Sequence, residues 1–396
     1  MNSLALADAG PLRGRVLHLI TRLDRGGSAD NTLLSCLGLD DIGWDVTLAY
    51  GLTADPSPVL AEVERRKSIR RVTIPRLVRP VDPVADTLAY RAVRRLLDRG
   101  GFDLVHTHSS KAGILGRRAA RDVGARVVHT PHGHVFEGYF GSLASAMCVR
   151  LERIAARWCD RIVVLTDRGR EEHLERAVGR REQFVTIHSG VRLAPFRAGM
   201  PRRAAARRAA GLPLEAWVVG CVARLTPIKG QAVLLSAMAR LCARFPALRL
   251  LLVGDGEDRV ALQARARRPD LRGRVVFAGA GADVRTSLAA LDLFVLPSLN
   301  EGQGRAVVEA MAAGLPVVAS RVGGLREVLD DGRAGRLVSP GDAADLAAAI
   351  EELMTAPHRA EALAQAGRLR AARYDDRSMV HRISTLYQEL LGEVTE

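Results

Sequence analysis

Aromatic residues make up 4% of the chain, and nowhere do they interleave with basic residues. A stacking platform for single-stranded nucleic acid is therefore not expected. Lysine occurs only at Lys67, Lys111 and Lys229. The five cysteines (Cys36, Cys148, Cys159, Cys221, Cys242) are scattered, without a Cys-x-x-Cys, which argues for reduced thiols and against a zinc or disulfide framework. No apolar run reaches the ~18 residues of a bilayer span. Residues Met1 to Gly14 include Asp8 and no basic n-region, so a signal peptide is not expected and a cytoplasmic location is. Gly-x-Gly-x-x-Gly is missing, which disfavours a nicotinamide-dependent dehydrogenase.

Positive charge is abundant instead. The formal net charge is +14, nearly all from arginine, a skew that reflects a GC-rich genome as much as function. A basic surface suits nucleic acid, anionic lipid or a phosphorylated substrate. With nucleic acid disfavoured, the expected partners are a phosphorylated small molecule and, transiently, the inner membrane face.

A length of 396 residues with 48% hydrophobic and 26% charged content fits two globular domains. Apolar strands alternate with helical segments of 10–15 residues, which predicts parallel βαβ units. One set runs from Arg15 to His188 and a second from Trp217 to Val338, without detectable repetition. The expected architecture is α/β, two Rossmann-like domains facing each other across a cleft. Residues 1–195 form the first, 196–375 the second, and 376–396 a helix returning to the first. Between Asp86 and Leu97, Leu88, Ala92, Val93 and Leu96 recur at helical spacing opposite Arg91, Arg94, Arg95 and Arg99. Core packing with a solvated basic face explains this pattern; a membrane-surface helix is the sharper alternative.

The chain is organised around Asn300–Pro316. Glu301 lies in a loop after an apolar strand, and Glu309 follows within about two helical turns. Both carboxylates are expected toward the carboxyl end of a parallel sheet, where α/β proteins bind ligands. Gly302 and Gly304 precede a helix N-terminus, an anion site. Carboxylates beside an anion cradle suit a nucleotide sugar. The bland alternative is a Gly-rich loop with two solvated glutamates.

Other loops add to this. Gly26 and Gly27 permit close approach to a phosphate or simply make a turn. Arg224 and Lys229 straddle a turn after the strand Trp217–Val222, well placed for a diphosphate. Each would supply about 4 kcal/mol of gross attraction at ~4 Å and an effective dielectric near 20. The turn Gly254-Asp255-Gly256-Glu257 shows no complementary metal-ligand set. His106 and His108 share a strand face, and His132 and His134 flank Gly133, but no acidic or thiol partner stands at a ligand spacing, so no metal is expected. His132 reads best as a polar contact to a reacting hydroxyl or sugar; His106, His129 and His134 read as structural.

Taken together, the chain resembles the family-4 retaining glycosyltransferases of the GT-B fold over about residues 14–390. The resemblance rests on Glu301-x7-Glu309 with Ala310-Met311-Ala312-Ala313-Gly314-Leu315-Pro316, on Val322-Gly323-Gly324, on Ala223-Arg224-Leu225 with Lys229-Gly230, and on Val253-Gly254-Asp255-Gly256. His106 to Gly113 and Thr130-Pro131-His132-Gly133 look like the bacterial capsule, O-antigen and exopolysaccharide branch. The resemblance implies that Gly26, Gly27 and Gly254 lie by the donor, that Arg224 and Lys229 neutralise its diphosphate, and that Glu301 meets the donor sugar. It implies that Glu309 binds the ribose hydroxyls, that the backbone of Gly302, Gln303, Gly304 and Arg305 holds phosphate and sugar, and that His132 touches the sugar beside the anomeric centre. Ser109, Ser110, Lys111 and His134 are placed on the acceptor side. No cofactor or metal is implied. Gln303 and Arg305 depart from the family's usual aromatic or aliphatic choices, which leaves the sugar open between a UDP-sugar and GDP-mannose. A nucleotide-sugar 2-epimerase and a non-catalytic nucleotide-sugar-binding subunit are the alternatives.

Overall fold

The computed structural model describes residues 13–132 and 142–392. The chain divides into two compact units, Met1–Gly190 with Asp376–Glu396, and Val191–Asp375.

The first unit holds seven strands: β1 Arg15–Ile20, β2 Asp45–Tyr50, β3 Arg70–Thr73, β4 Leu104–His108, β5 Arg126–Thr130, β6 Arg161–Val164 and β7 Phe184–Thr186. They order as β3-β2-β1-β4-β5-β6-β7, every pair parallel. The second unit holds β8 Trp217–Val222, β9 Leu248–Val253, β10 Val275–Gly279, β11 Leu293–Leu296, β12 Val317–Ser320 and β13 Arg336–Val338. Its order is β10-β9-β8-β11-β12-β13, again all parallel. Central strands such as β1, β4, β8 and β11 are buried on both faces, β8 and β11 with almost wholly apolar side chains, while β1 and β4 also bury His18, His106, Thr107 and His108. In each sheet the winding reverses between the first strand and its non-sequential neighbour, β1/β4 and β8/β11. That reversal opens a crevice at the strands' carboxyl ends.

The helix Asp376–Leu391 belongs to the first unit. It buries Met379, Val380, Ile383, Leu386 and Tyr387, and its Val380 packs against Gly38 of the helix Gly27–Asp41. Trp44 Nε1 donates to Ser384 Oγ at 2.9 Å and pins it.

Two expectations change. The helix expected over Asp86–Leu97 runs Pro83–Gly100, capped by Asp82, whose carboxylate accepts from the Val84 and Ala85 N–H groups. Its buried stripe is Ala85, Ala89, Val93 and Leu97, while Leu88 is exposed. Small alanines let the helix sit close to its neighbours and carry the burial that the larger Leu88 was expected to take. The basic face of Arg91, Arg94, Arg95 and Arg99 is exposed as expected. A short helix, Leu60–Arg65, was not anticipated. All five cysteines are free thiols. No described helix is long and apolar enough to cross a membrane.

Candidate active site

In the second unit, loops leaving β8, β9 and β11 meet at the β8/β11 reversal. The 223–230 loop closes on itself, with Gln231 Nε2 donating to Arg224 O at 2.8 Å and Lys229 N to Thr226 O at 2.9 Å. It is stitched to the loop after β11, since Leu299 N donates to Ile228 O at 2.8 Å. Gly230 has φ +69°, and a Cβ there would stand 2.0 Å from Pro297 O. Only glycine lets these loops lie this close. The closeness places Lys229 Nζ 2.5 Å from Glu301 Oε2, with Ser298 Oγ at 3.4 Å from the same oxygen. Lys229 and Glu301 are each mostly buried, so the pair is a fixed, charge-assisted contact rather than a fluctuating surface one. Arg224 is exposed and makes no ion pair among the described residues.

Glu301 is braced from its other side. Its carbonyl accepts from Gly324 N at 3.1 Å, and Gly323 (φ +45°) passes so near that a Cβ would fall 1.9 Å from that oxygen. The glycines of Val322-Gly323-Gly324 thus shape the loop holding the carboxylate. Gly302, Gln303 and Gly304 lead into the helix Arg305–Ala312, with Gly304 left-handed at its N-cap. Gln303 is buried; Arg305 and Glu309 are half-buried, Glu309 in the second helical turn. Gly254 follows β9, its N–H donating to Gly279 O. Asp255 pairs with Arg259 at 2.5 Å, and the Gly256 N–H and this arginine hold its carboxyl below the usual range.

In the first unit, the candidate residues gather at the β1/β4 reversal. Gly26 caps the helix Gly27–Asp41, its carbonyl accepting from Asp30 N at 3.1 Å, and a Cβ there would meet nothing within 4 Å. His106 and His108 of β4 are fully buried, and His132 follows β5 with φ +62°. His108 Nδ1 lies 2.8 Å from His132 Nε2. Register places His18 of β1 beside His106, and its Nδ1 is 2.9 Å from His108 Nε2. His106 Nδ1 is 2.5 Å from Tyr387 Oη, and His106 Nε2 2.7 Å from Thr130 Oγ1. Burial drives His106 and His108 well below the ordinary imidazole range and His18 to about 3. His129 is also buried and neutral, next to Thr107 Oγ1 at 2.9 Å.

On the acceptor side, Ser109 and Ser110 open the helix Ser110–Val123. Lys111 is engaged elsewhere: its ammonium contacts Asp86 at 2.6 Å and Pro80 O, tying this helix to Pro83–Gly100. His134 lies outside the described residues.

Two residues here, His18 and Tyr387, escaped the sequence reading, in which Gly323 is only part of a motif, without a role. His18 and Tyr387 join the histidine group, and Gly323 props Glu301. His18 carried one signal, a polar residue inside an apolar strand, but its partners lie 88 and more positions away.

Comparison with known proteins places the chain in a family and a fold. Residues 26–194 match the family model described as Glycosyltransferase Family 4, and residues 216–356 match that for Glycosyl transferases group 1. The chain is 29% identical over 361 residues to the putative glycosyltransferase EpsD of Bacillus subtilis, covering 90% of this chain and 92% of that one. It is 32% identical over 261 residues to the Escherichia coli UDP-Gal:alpha-D-GlcNAc-diphosphoundecaprenol alpha-1,3-galactosyltransferase, 65% of this chain and 67% of the relative. Among solved structures, Anabaena Alr3699/HepE in complex with UDP-glucose superposes with a TM-score of 0.77 at 24% identity, covering 96% of this chain and 100% of that one.

Proposed function

This chain belongs to the family-4 glycosyltransferases, with the two-domain GT-B fold, and on that premise we propose that it moves a hexose or N-acetylhexosamine from a nucleoside-diphosphate sugar to a saccharide or lipid-linked saccharide, with anomeric configuration retained, in cell-surface polysaccharide synthesis. A UDP-sugar is the first choice of donor, in keeping with relatives whose names carry UDP-galactose or UDP-glucose; GDP-mannose is the second.

The observation that carries this reading is the Lys229–Glu301 pair, fixed at the sheet's carboxyl edge beside the Arg305–Ala312 helix N-terminus. Lys229 offers two further ammonium protons to a diphosphate while Glu301 holds it in place. Arg224, exposed on the same loop, adds a second cation, and the helix dipole a third positive element. As the diphosphate departs it gains charge, and these groups stabilise it without reorganising. The acceptor hydroxyl attacks from the face the diphosphate leaves, and a diphosphate oxygen takes the hydroxyl proton. Glu309 binds the ribose hydroxyls, Glu301 contacts the sugar, and His132 meets the sugar beside its anomeric carbon. With cations already present, no resident metal is required.

The acceptor side includes Ser109 and Ser110. On the helix Pro83–Gly100, Val84, Leu88, Arg91 and Arg95 follow one another along one exposed face. An apolar end continuing into a basic stretch suits transient contact with an anionic leaflet carrying a lipid-linked acceptor.

Product stereochemistry tests the reaction type. Proton NMR of the first product formed from an α-linked UDP-sugar should show an α-linkage. A β-linked first product would refute retention, and acceptor-independent conversion of the donor to its 2-epimer would replace the transferase reading.

A further inference from the structure

Behind His132, five buried side chains of the first unit join in one hydrogen-bonded chain among the described residues. Thr130 Oγ1 is 2.7 Å from His106 Nε2, and His106 Nδ1 is 2.5 Å from Tyr387 Oη. Tyr387 Oη is 3.3 Å from His18 Nε2, and His18 Nδ1 is 2.9 Å from His108 Nε2. His108 Nδ1 is 2.8 Å from His132 Nε2. Thr130, His106, Tyr387, His18 and His108 are all buried. Burial also keeps the three inner imidazoles neutral and the phenol protonated.

A neutral imidazole carries one N–H and one lone pair, on different nitrogens. Each inner ring uses both nitrogens in the chain, so hydrogen-bond donation must run in one direction throughout. Tracing the atoms gives a simple rule. His18, His106, His108 and a neutral His132 share one tautomer, either all Nδ1–H or all Nε2–H. The contacts of Tyr387 select between them. A phenol donates well and accepts poorly, and O–H donors make the shorter bonds. Its short contact is to His106 Nδ1 and its long one to His18 Nε2, so Tyr387 donates to His106 and accepts from His18. Every ring then carries its proton on Nε2, and the chain ends with Thr130 Oγ1 accepting from His106.

We propose that Tyr387, His18, His106, His108 and Thr130 are positioning residues that hold His132 with its proton on Nε2, turned into the protein, so that its Nδ1 lone pair meets the donor sugar as an acceptor. This rests on His132 contacting the sugar. Ring nitrogens of His18, His106 and His108 lie within 4.8 Å of one another, which also invites a metal reading. The spacing favours the hydrogen-bond chain. Ligand nitrogens ~2.0–2.1 Å from a tetrahedral zinc stand more than about 3 Å apart, whereas His18 and His108 meet at 2.9 Å.

Long-range proton–nitrogen correlation spectra of protein labelled with [15N]histidine read the tautomers directly. In the wild type near pH 7.5, four neutral Nε2–H rings are expected, unchanged by excess EDTA. Mixed tautomers among the four, an imidazolium in the inner three, or spectra altered by EDTA overturn the proposal. Thr130→Val is nearly isosteric and removes only the final acceptor. It should reverse the chain, moving His132 to Nδ1–H, and lower kcat about tenfold with the donor KM within about twofold. Tyr387→Phe should leave His18, His108 and His132 as tautomer mixtures with a similar kcat loss. A His132 signature unchanged in a folded Thr130→Val protein contradicts the relay, since a purely structural threonine would not move it. If His132→Ala leaves turnover intact while the tautomer rule holds, it is the sugar-contact reading that fails.

Discussion

Gly323 is a single-residue test of how Glu301 is held. Its φ of +45° costs an L-residue about 1–2 kcal/mol, and a Cβ would stand 1.9 Å from the Glu301 carbonyl oxygen. Gly323→Ala must displace that loop. We expect a lower Tm and donor affinity weakened at least about tenfold; titration with UDP-sugar checks it, and unchanged affinity would refute the bracing role. The Lys229–Glu301 pair has its own test. A double-mutant cycle of Lys229→Met and Glu301→Gln should give a coupling of roughly 1–3 kcal/mol in stability, and additive losses would mean the contact does not persist in solution. At this scale the sequence was partly legible. Glu301, Glu309 and the glycines stand out because they interrupt apolar runs between strands. The pairing of Lys229 with Glu301 is invisible without knowing that β8 and β11 are neighbours, and the same holds for His18 beside His106.

Among the elements, the helix Pro83–Gly100 carries the clearest prediction. Arg91 and Arg95 are exposed beside Val84 and Leu88. Each basic residue near an anionic surface contributes about 1 kcal/mol. Arg91→Glu with Arg95→Glu should weaken sedimentation with anionic vesicles at low salt by at least about tenfold, leaving binding of the soluble donor unchanged. Equal sedimentation of wild type and variant would remove the membrane contact. The strand core of β8 was readable to the residue, Trp217–Val222, because a fully buried strand is a nearly continuous apolar run. The phase of the helix Pro83–Gly100 was not, because Leu88, Ala92, Val93 and Leu96 also recur at helical spacing, and the buried stripe runs instead through Ala85, Ala89, Val93 and Leu97.

The whole molecule carries a pH signature. His18, His106, His108 and His129 are neutral when folded, their protonation suppressed chiefly by burial. Unfolded histidine titrates near pH 6.5. Below that pH the unfolded chain binds more protons than the native one, so stability falls as pH drops from about 6.5 toward 3. Each fully suppressed histidine removes about 1.4 kcal/mol by pH 5.5. Calorimetry should show Tm several degrees lower at pH 5.5 than at 7.5 at matched ionic strength; an equal Tm would mean these rings are not buried neutral. Strand–helix alternation made two parallel α/β units legible from the sequence. Strand order was not, because local patterning does not encode which strands become neighbours.

The central claim is a nucleotide-sugar transferase whose second unit holds the donor through Lys229 and Glu309. Isothermal titration with UDP-, GDP- and ADP-sugars tests it most directly. The account predicts one preferred nucleotide, a UDP-sugar first, with Kd between about 1 μM and 1 mM, and at least about tenfold weaker binding in Lys229→Ala and Glu309→Ala. Binding of none of these donors by the folded wild type, or equal binding by both variants, would contradict it.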